Sequence, residues 1–162
     1  MPELLVSLAV QVGVTMTDVQ DEHDRWRVYA PAVDADGCAD LLLEAVALEP
    51  DPSVALSVVL RKLEMVAQDG RQRWVDGLTG DMQRQFAARR AAELQVLETR
   101  PLAPSRREGI EREWSDWLQL RLAESSPERD VISRLSSAGR TKRIRRTAAE
   151  RLKHLRNRSE ER

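Results

Sequence analysis

Apolar residues in most of the chain recur every three or four positions, which is the period of an α-helix that buries one face. The clearest such stripe comprises Ile110, Trp114, Trp117, Leu118 and Leu122. A second stripe lies near the C-terminus and comprises Ile144, Ala148, Leu152 and Leu155. The spacing predicts helices that pack against one another through largely aliphatic side chains.

Residues 4–14 fit two patterns. A helix would align one set of apolar side chains, Leu4, Leu5, Leu8 and Val12. A half-buried strand would align an alternating set, Val6, Leu8, Val10, Val12 and Val14. No second convincing strand lies nearby, and an isolated strand would leave its backbone groups without hydrogen-bond partners. We therefore favour a helix for this segment.

Residues that start or end helices divide the first half of the chain. Thr15 or Thr17 is expected to cap a short polar helix, and Pro31 is expected to break it because the residue before a proline disfavours the α conformation. Further along, Asp51 is the predicted N-cap of a helix whose first residue is Pro52.

The second half shows similar signals. Residues 71–99 are predicted to be helical, with an interruption near 77–80. Residues 101–104 form a proline-containing linker, and residues 105–108 fit a capping box that starts the next helix. A short helix is expected over 126–138. The total is seven or eight helices.

The composition narrows the fold class. The 162 residues include only four Trp, one Tyr and one Phe, so the core must come from Leu, Val and Ala, which suits helix-on-helix packing. Charged residues make up 33%, as expected for helices with wide solvated faces. We predict an all-α protein, a single domain over residues 1–162.

Cys38 is the only cysteine, which excludes an internal disulfide and a multi-cysteine zinc site. A reducing cytoplasm is the expected location. The apolar run at residues 4–14 is too short to span a bilayer, and no basic segment precedes it, so we expect neither a signal peptide nor a membrane helix. Arg greatly outnumbers Lys, a bias typical of a GC-rich bacterial or phage genome.

Charge is distributed unevenly, although the formal net charge of the chain is only −1. Residues 1–70 hold 13 acidic and four basic residues, a net of −9, whereas residues 138–162 hold ten basic and three acidic residues, a net of +7. Residues 71–137 are nearly balanced, with eleven acidic residues and twelve Arg. This polarity is the feature of the composition that points to a partner.

In the last predicted helix, Ile144 and Arg145 are followed by Ala148, Ala149 and then Leu152. A β-branched residue, Arg, paired small residues and Leu in this order resemble the second half of a HEAT-type repeat.

A poorer copy of this pattern lies at residues 51–63, whereas residues 71–99 depart from the length of a repeat unit. We therefore expect an irregular helical array or bundle that is HEAT-like at its ends. The resemblance implies a scaffold or adaptor role, because helical arrays present extended surfaces to partners.

The last helix carries the candidate anion-binding residues Arg140, Lys142, Arg143, Arg145, Arg146, Lys153 and Arg156. Such a surface suits an acidic protein, nucleic-acid phosphates or an anionic membrane face. Two other interpretations remain: the cations are solvated, or they pair with the acidic half of the same molecule or of a second copy. His154 is the only aromatic side chain in the helix, which disfavours single-strand binding by stacking.

Two further sets of residues are candidate sites. The acidic cluster Asp18, Asp21, Glu22, His23 and Asp24 contains carboxylates and one His, but no second His is near, so a solvated helix face is the better explanation and we predict no metal site.

Trp114 and Trp117 are expected to be core anchors, with an exposed interface as the alternative. Cys38 is flanked by Asp36 and Asp40, which disfavour its thiolate, and no catalytic triad or phosphate-binding loop is evident.

We therefore predict a non-catalytic interaction module, an adaptor or regulatory subunit, with no cofactor and no evident small-molecule substrate. Its basic C-terminal helix is expected to dock an acidic surface on a protein partner or a second copy. The alternative is a nucleic-acid-binding protein that contacts phosphates through the same helix.

Overall fold

Helices account for all the regular secondary structure in the computed structural model, which describes residues 2–99 and 113–160, the last four by their backbone path alone. The α-helices are α1 (Pro2–Gln11), α2 (Glu22–Asp34), α3 (Ala39–Ala47), α4 (Pro52–Leu63), α5 (Arg71–Asp76), α6 (Asp81–Glu98), α7 (Asp116–Ser125), α8 (Arg129–Ala138) and α9 (Lys142–Glu160). A 3-10 turn, Gln68–Gly70, precedes α5. The all-α prediction is confirmed. The described part holds nine helices, more than the seven or eight predicted, because the interruption near 77–80 is a complete break.

The chain divides into two compact units, Met1–Ala92 and Glu93–Arg162, and the boundary falls inside α6. In the first unit α2 contacts α1, α3 and α4, and α4 contacts α5. In the second unit α7, α8 and α9 all contact one another. A single domain over residues 1–162 stays a prediction.

Residues 4–11, for which both a helix and a strand were considered, lie in the helix α1. Leu5 and Leu8 are fully buried, whereas Val10 is 76% exposed, as expected for a helix with one inward face. Gly13 follows the helix with a φ of 67°, the left-handed conformation that commonly ends helices. The favoured prediction of a helix is confirmed.

α2 begins at a different residue from the one predicted. Its N-cap is Asp21, not Thr15 or Thr17, and the Asp21 carboxylate accepts hydrogen bonds from the backbone N–H groups of His23 and Asp24 at 2.7 and 3.1 Å. The Thr17 hydroxyl instead donates to the Asp24 carboxylate at 2.5 Å. A carboxylate is favoured at this position because it also interacts with the positive end of the helix dipole.

Pro31 lies inside α2 and does not end it, so the predicted break is wrong. An interior proline costs about 3 kcal/mol or more. Tertiary contacts hold the turn that follows: Ala32 and Val33 are fully buried, and the ammonium of the buried Lys62 donates to the Val33 carbonyl at 2.8 Å. These interactions offset the local cost of the proline.

α4 begins as predicted. The Asp51 carboxylate accepts hydrogen bonds from the backbone N–H groups of Ser53 and Val54 at 2.7 and 3.3 Å, and Pro52 is the first helical residue. After α4 ends, Arg71 folds back so that its Nε donates to the Leu63 carbonyl at 3.0 Å.

The core of the second unit is aliphatic and comprises Leu118, Leu122, Ala123, Val131, Ile132, Leu135, Ile144 and Ala148. α7 starts later than the predicted stripe, because Ser115 is its N-cap and Trp114 precedes the helix. The predicted linker, the capping box and Ile110 lie outside the described residues.

A buried ion pair joins two parts of the first unit. Arg25 contacts both carboxylate oxygens of Glu49 at 2.9–3.1 Å, and the side chains are 5% and 0% exposed. The Tyr29 hydroxyl donates to Glu49 Oε2 at 2.8 Å, and the Asp51 backbone N–H donates to Oε1 at 3.1 Å. Burial, with the neighbouring Glu49 carboxylate, raises the pKa of Tyr29 above its usual value, so the hydroxyl remains a donor.

Arg25→Ala should lower the free energy of unfolding by about 3–5 kcal/mol, because it leaves the Glu49 carboxylate buried without its cation. Arg27→Ala is the matched control, since Arg27 lies on the same helix and pairs with Asp24 with its own side chain 65% exposed. Its effect should be at most about 1 kcal/mol. Urea unfolding followed by circular dichroism measures both, and similar losses in the two variants would contradict the role of the buried pair.

Candidate anion-binding surface

α9 turns an apolar face inward and its cations outward. Ile144 and Ala148 are buried, and the partly buried Leu152 and Leu155 pack against the core of the second unit. The predicted inward stripe is confirmed.

Two of the predicted site residues are used within the fold. Arg140 Nη1 pairs with the Asp116 carboxylate at 3.1 Å, and Arg140 Nη2 donates to the Trp114 carbonyl at 2.8 Å. Arg145 Nη1 donates to the Gly139 carbonyl at 2.6 Å. These guanidinium groups connect the start of α9 to α7 and to the preceding loop.

Three exposed cations share one face of α9. Residues in a helix are about 100° apart, so Lys142, Arg146 and Lys153 fall within about 40° of one another and extend over about 16 Å along the axis. We call these three residues the cationic stripe. By the same geometry Arg156 lies about 40° to one side of Lys142, and Arg143 lies about 100° to the other side.

Few of these cations are neutralised. Arg146 Nε lies 3.4 Å from Glu150 Oε1, but both side chains are exposed, and such a pair is worth only about 0.3–0.5 kcal/mol. Lys142, Arg143, Lys153 and Arg156 form no ion pair within the part of the chain that the structure describes. The outward surface of α9 therefore keeps most of its positive charge.

A groove of about 470 Å³ lies beside the cationic stripe, between α8 and α9. Its lining residues are Arg129, Asp130, Ser133, Leu152, Lys153 and Arg156. We call it the basic groove, because it holds three cations and one carboxylate. The sequence analysis did not predict Arg129 and Ser133 as site residues, because they lie on a different helix from the predicted cations. The one sequence feature that links them is their spacing of four residues, which places both on one face of α8.

The acidic cluster at the start of α2 is engaged in local structure. The Asp24 carboxylate accepts hydrogen bonds from the Thr17 hydroxyl and from the backbone N–H groups of Asp18 and Thr17, which hold the pKa of Asp24 well below its usual value. Asp21 caps α2. Over residues 2–99 and 113–156, no three His, Cys, Asp or Glu side chains are grouped so that they could hold a metal ion.

Trp114 and Trp117 are partly buried and pack against the core of the second unit, and the Arg121 guanidinium lies 5.6 Å from the centre of the Trp117 ring. An additional interface role for them stays a prediction. Cys38 is buried, with its Sγ 3.4 Å from the side-chain oxygen of Gln11.

None of the helices in the described ranges combines the length and the apolar character that crossing a membrane requires. No protein-family model, no curated protein and no solved structure matches the chain. The resemblance to a HEAT-type repeat therefore stays a prediction.

Asp24→Asn should make the free energy of unfolding less dependent on pH in the acid range. A carboxylate whose pKa is lower in the folded than in the unfolded chain stabilises the fold above about pH 4, and this contribution is lost as the pH falls through the folded-state pKa. The difference in unfolding free energy between the wild type and the variant should thus shrink on acidification. Urea unfolding over a pH series measures it. Asp36→Asn, at an exposed loop position, is the control, and an equal effect there would contradict the prediction.

Proposed function

We propose that the protein is a non-catalytic interaction module of the cytoplasm that docks an acidic surface of a protein partner through the cationic stripe and the basic groove. The observation that carries the proposal is the exposure of Lys142, Arg146 and Lys153 on one face of a helix whose opposite face is buried. Because the helix backbone is anchored in this way, binding a partner has to order the cationic side chains but not the backbone.

The groove supplies a second kind of contact. Leu152 is partly buried between α8 and α9, beside Lys153 and Arg156, so an acidic partner segment with one apolar side chain has both a charged and an apolar contact there. Complementary charge mainly sets orientation and the rate of encounter, whereas buried anchors carry most of the affinity.

Nucleic acid is the second candidate, favoured by the basic groove. Arg129, Lys153 and Arg156 project from two helices, an arrangement that suits phosphate oxygens. α9 has no Trp, Tyr or Phe for base stacking, so this binding would depend on the backbone charge and would carry little sequence preference.

Fluorescence anisotropy with a labelled poly-glutamate peptide, a DNA duplex and a single-stranded RNA separates the two candidates. We expect the peptide to bind at low salt, and to be released by added salt because the ions screen exposed charges. The combined variant Lys142→Glu, Arg146→Glu and Lys153→Glu should abolish the binding while keeping the helical circular dichroism spectrum.

Single charge reversals provide the matched control. Lys153→Glu should weaken peptide binding by about tenfold, whereas Arg143→Glu changes the charge equally, about 80° away on the same helix, and should change binding less than about twofold. Equal losses of peptide binding in the two variants would contradict the role of the cationic stripe. Tighter binding of DNA or RNA than of the peptide at every salt concentration would favour the second candidate, and no binding of any probe would contradict both.

A further inference from the structure

A groove of about 330 Å³ lies in the first unit, between the starts of α2 and α4. Its lining residues are Glu22, His23, Trp26, Asp51, Ser53, Val54 and Ser57. We call it the Trp26 groove after Trp26, a lining residue that is 36% exposed.

The buried ion pair adjoins residues that line the groove. Arg25 precedes Trp26 in α2, and Glu49, its partner, also accepts a hydrogen bond from the Asp51 backbone N–H at the start of α4. The pair therefore fixes the two helix starts side by side. Each start carries a carboxylate at the groove, Glu22 from α2 and Asp51 from α4.

These two carboxylates have no Lys or Arg partner within the described residues. The nearest basic group is His23, whose Nδ1 lies 3.8 Å from Glu22 Oε1. The two exposed cations of residues 1–70 are paired elsewhere, Arg27 with Asp24 and Arg61 with Asp34.

Hydrogen bonds from the backbone N–H groups of Ser53 and Val54 lower the pKa of Asp51 below its usual value, and a side-chain hydrogen bond with Glu22 acts in the same direction. An indole ring beside two carboxylates is a combination that binds a guanidinium group: the cation stacks on the ring and donates hydrogen bonds to the carboxylate oxygens. The ligand class that fits the groove is thus an arginine side chain.

We infer that the Trp26 groove receives arginine side chains of α9 from a second copy of this chain. This inference rests on the proposed function, for which it names the partner. Charge complementarity supports it: residues 1–70 carry a net of −9 and residues 138–162 a net of +7, so both members of the contact are present in one sequence. Arg146, with 81% of its side chain exposed, is the arginine of the cationic stripe.

Each copy has one arginine-bearing helix and one Trp26 groove. Association through them closes as a symmetric dimer or continues head to tail, depending on the rotation between neighbouring copies. In either case it should be strongest at low ionic strength, because the charges on both surfaces are exposed.

Light scattering and sedimentation of the full chain test the inference. The wild type should associate at low salt and dissociate at high salt. Glu22→Arg and Arg146→Glu should each raise the dissociation constant by at least about tenfold, and Trp26→Ala should also weaken association. An equimolar mixture of the Glu22→Arg and Arg146→Glu chains should associate again, because each groove then meets a helix of opposite charge.

Glu44→Arg is the matched control, since it makes the same charge change on an exposed residue of α3 outside the groove, and it should leave association intact. A wild type that is monomeric at low salt, a mixture that stays monomeric, or an equal loss in Glu44→Arg would overturn the inference.

The poly-glutamate assay distinguishes the failure of this inference from that of the proposed function. If the chain is monomeric but still binds the peptide through the cationic stripe, only the second copy as partner is wrong. If peptide binding is absent as well, the proposed function fails with it.

Discussion

The buried ion pair between Arg25 and Glu49 determines how the first unit is assembled. Removing two charges from water is costly, and such a pair is tolerated only when its remaining donors and acceptors are satisfied. Here the Tyr29 hydroxyl and the Asp51 backbone N–H donate to the Glu49 carboxylate, while Arg25 Nη1 donates to the carbonyl of Gln20 at 2.7 Å. The network joins α2, the loop before it and the start of α4, and it adjoins Trp26 and Asp51, which line the Trp26 groove.

Basic residues serve two purposes in this chain, and their position decides which. Lys62 and Arg71 are buried and satisfy carbonyl groups near the ends of α2 and α4. Arg140 and Arg145 likewise donate to backbone carbonyl groups near the start of α9. Cations that bind carbonyl groups in this way are not available to a partner, so the formal charge of a segment overstates the charge that its surface presents.

The features that sequence predicts well here are local. The Asp51 cap and the inward stripe of α9 depend on residues within a few positions of one another, and both agree with the structure. The continuation of α2 through Pro31 depends on Lys62, 29 positions from the Val33 carbonyl that it contacts, and the buried pair joins residues 24 positions apart. The basic groove likewise needs α8 to lie against α9. Periodicity and capping rules contain no information about such contacts, since these depend on how helices meet.

The burial of Lys62 has a practical consequence for work with this protein. The sequence contains three lysines, and the Lys62 ammonium is enclosed and bound to a carbonyl. Apart from the α-amine of the chain, the amines open to acylating reagents are therefore Lys142 and Lys153, both on the exposed face of α9. Immobilisation through amines would thus attach the molecule by that face and mask it, whereas most carboxylates, among them the 13 of residues 1–70, lie outside α9.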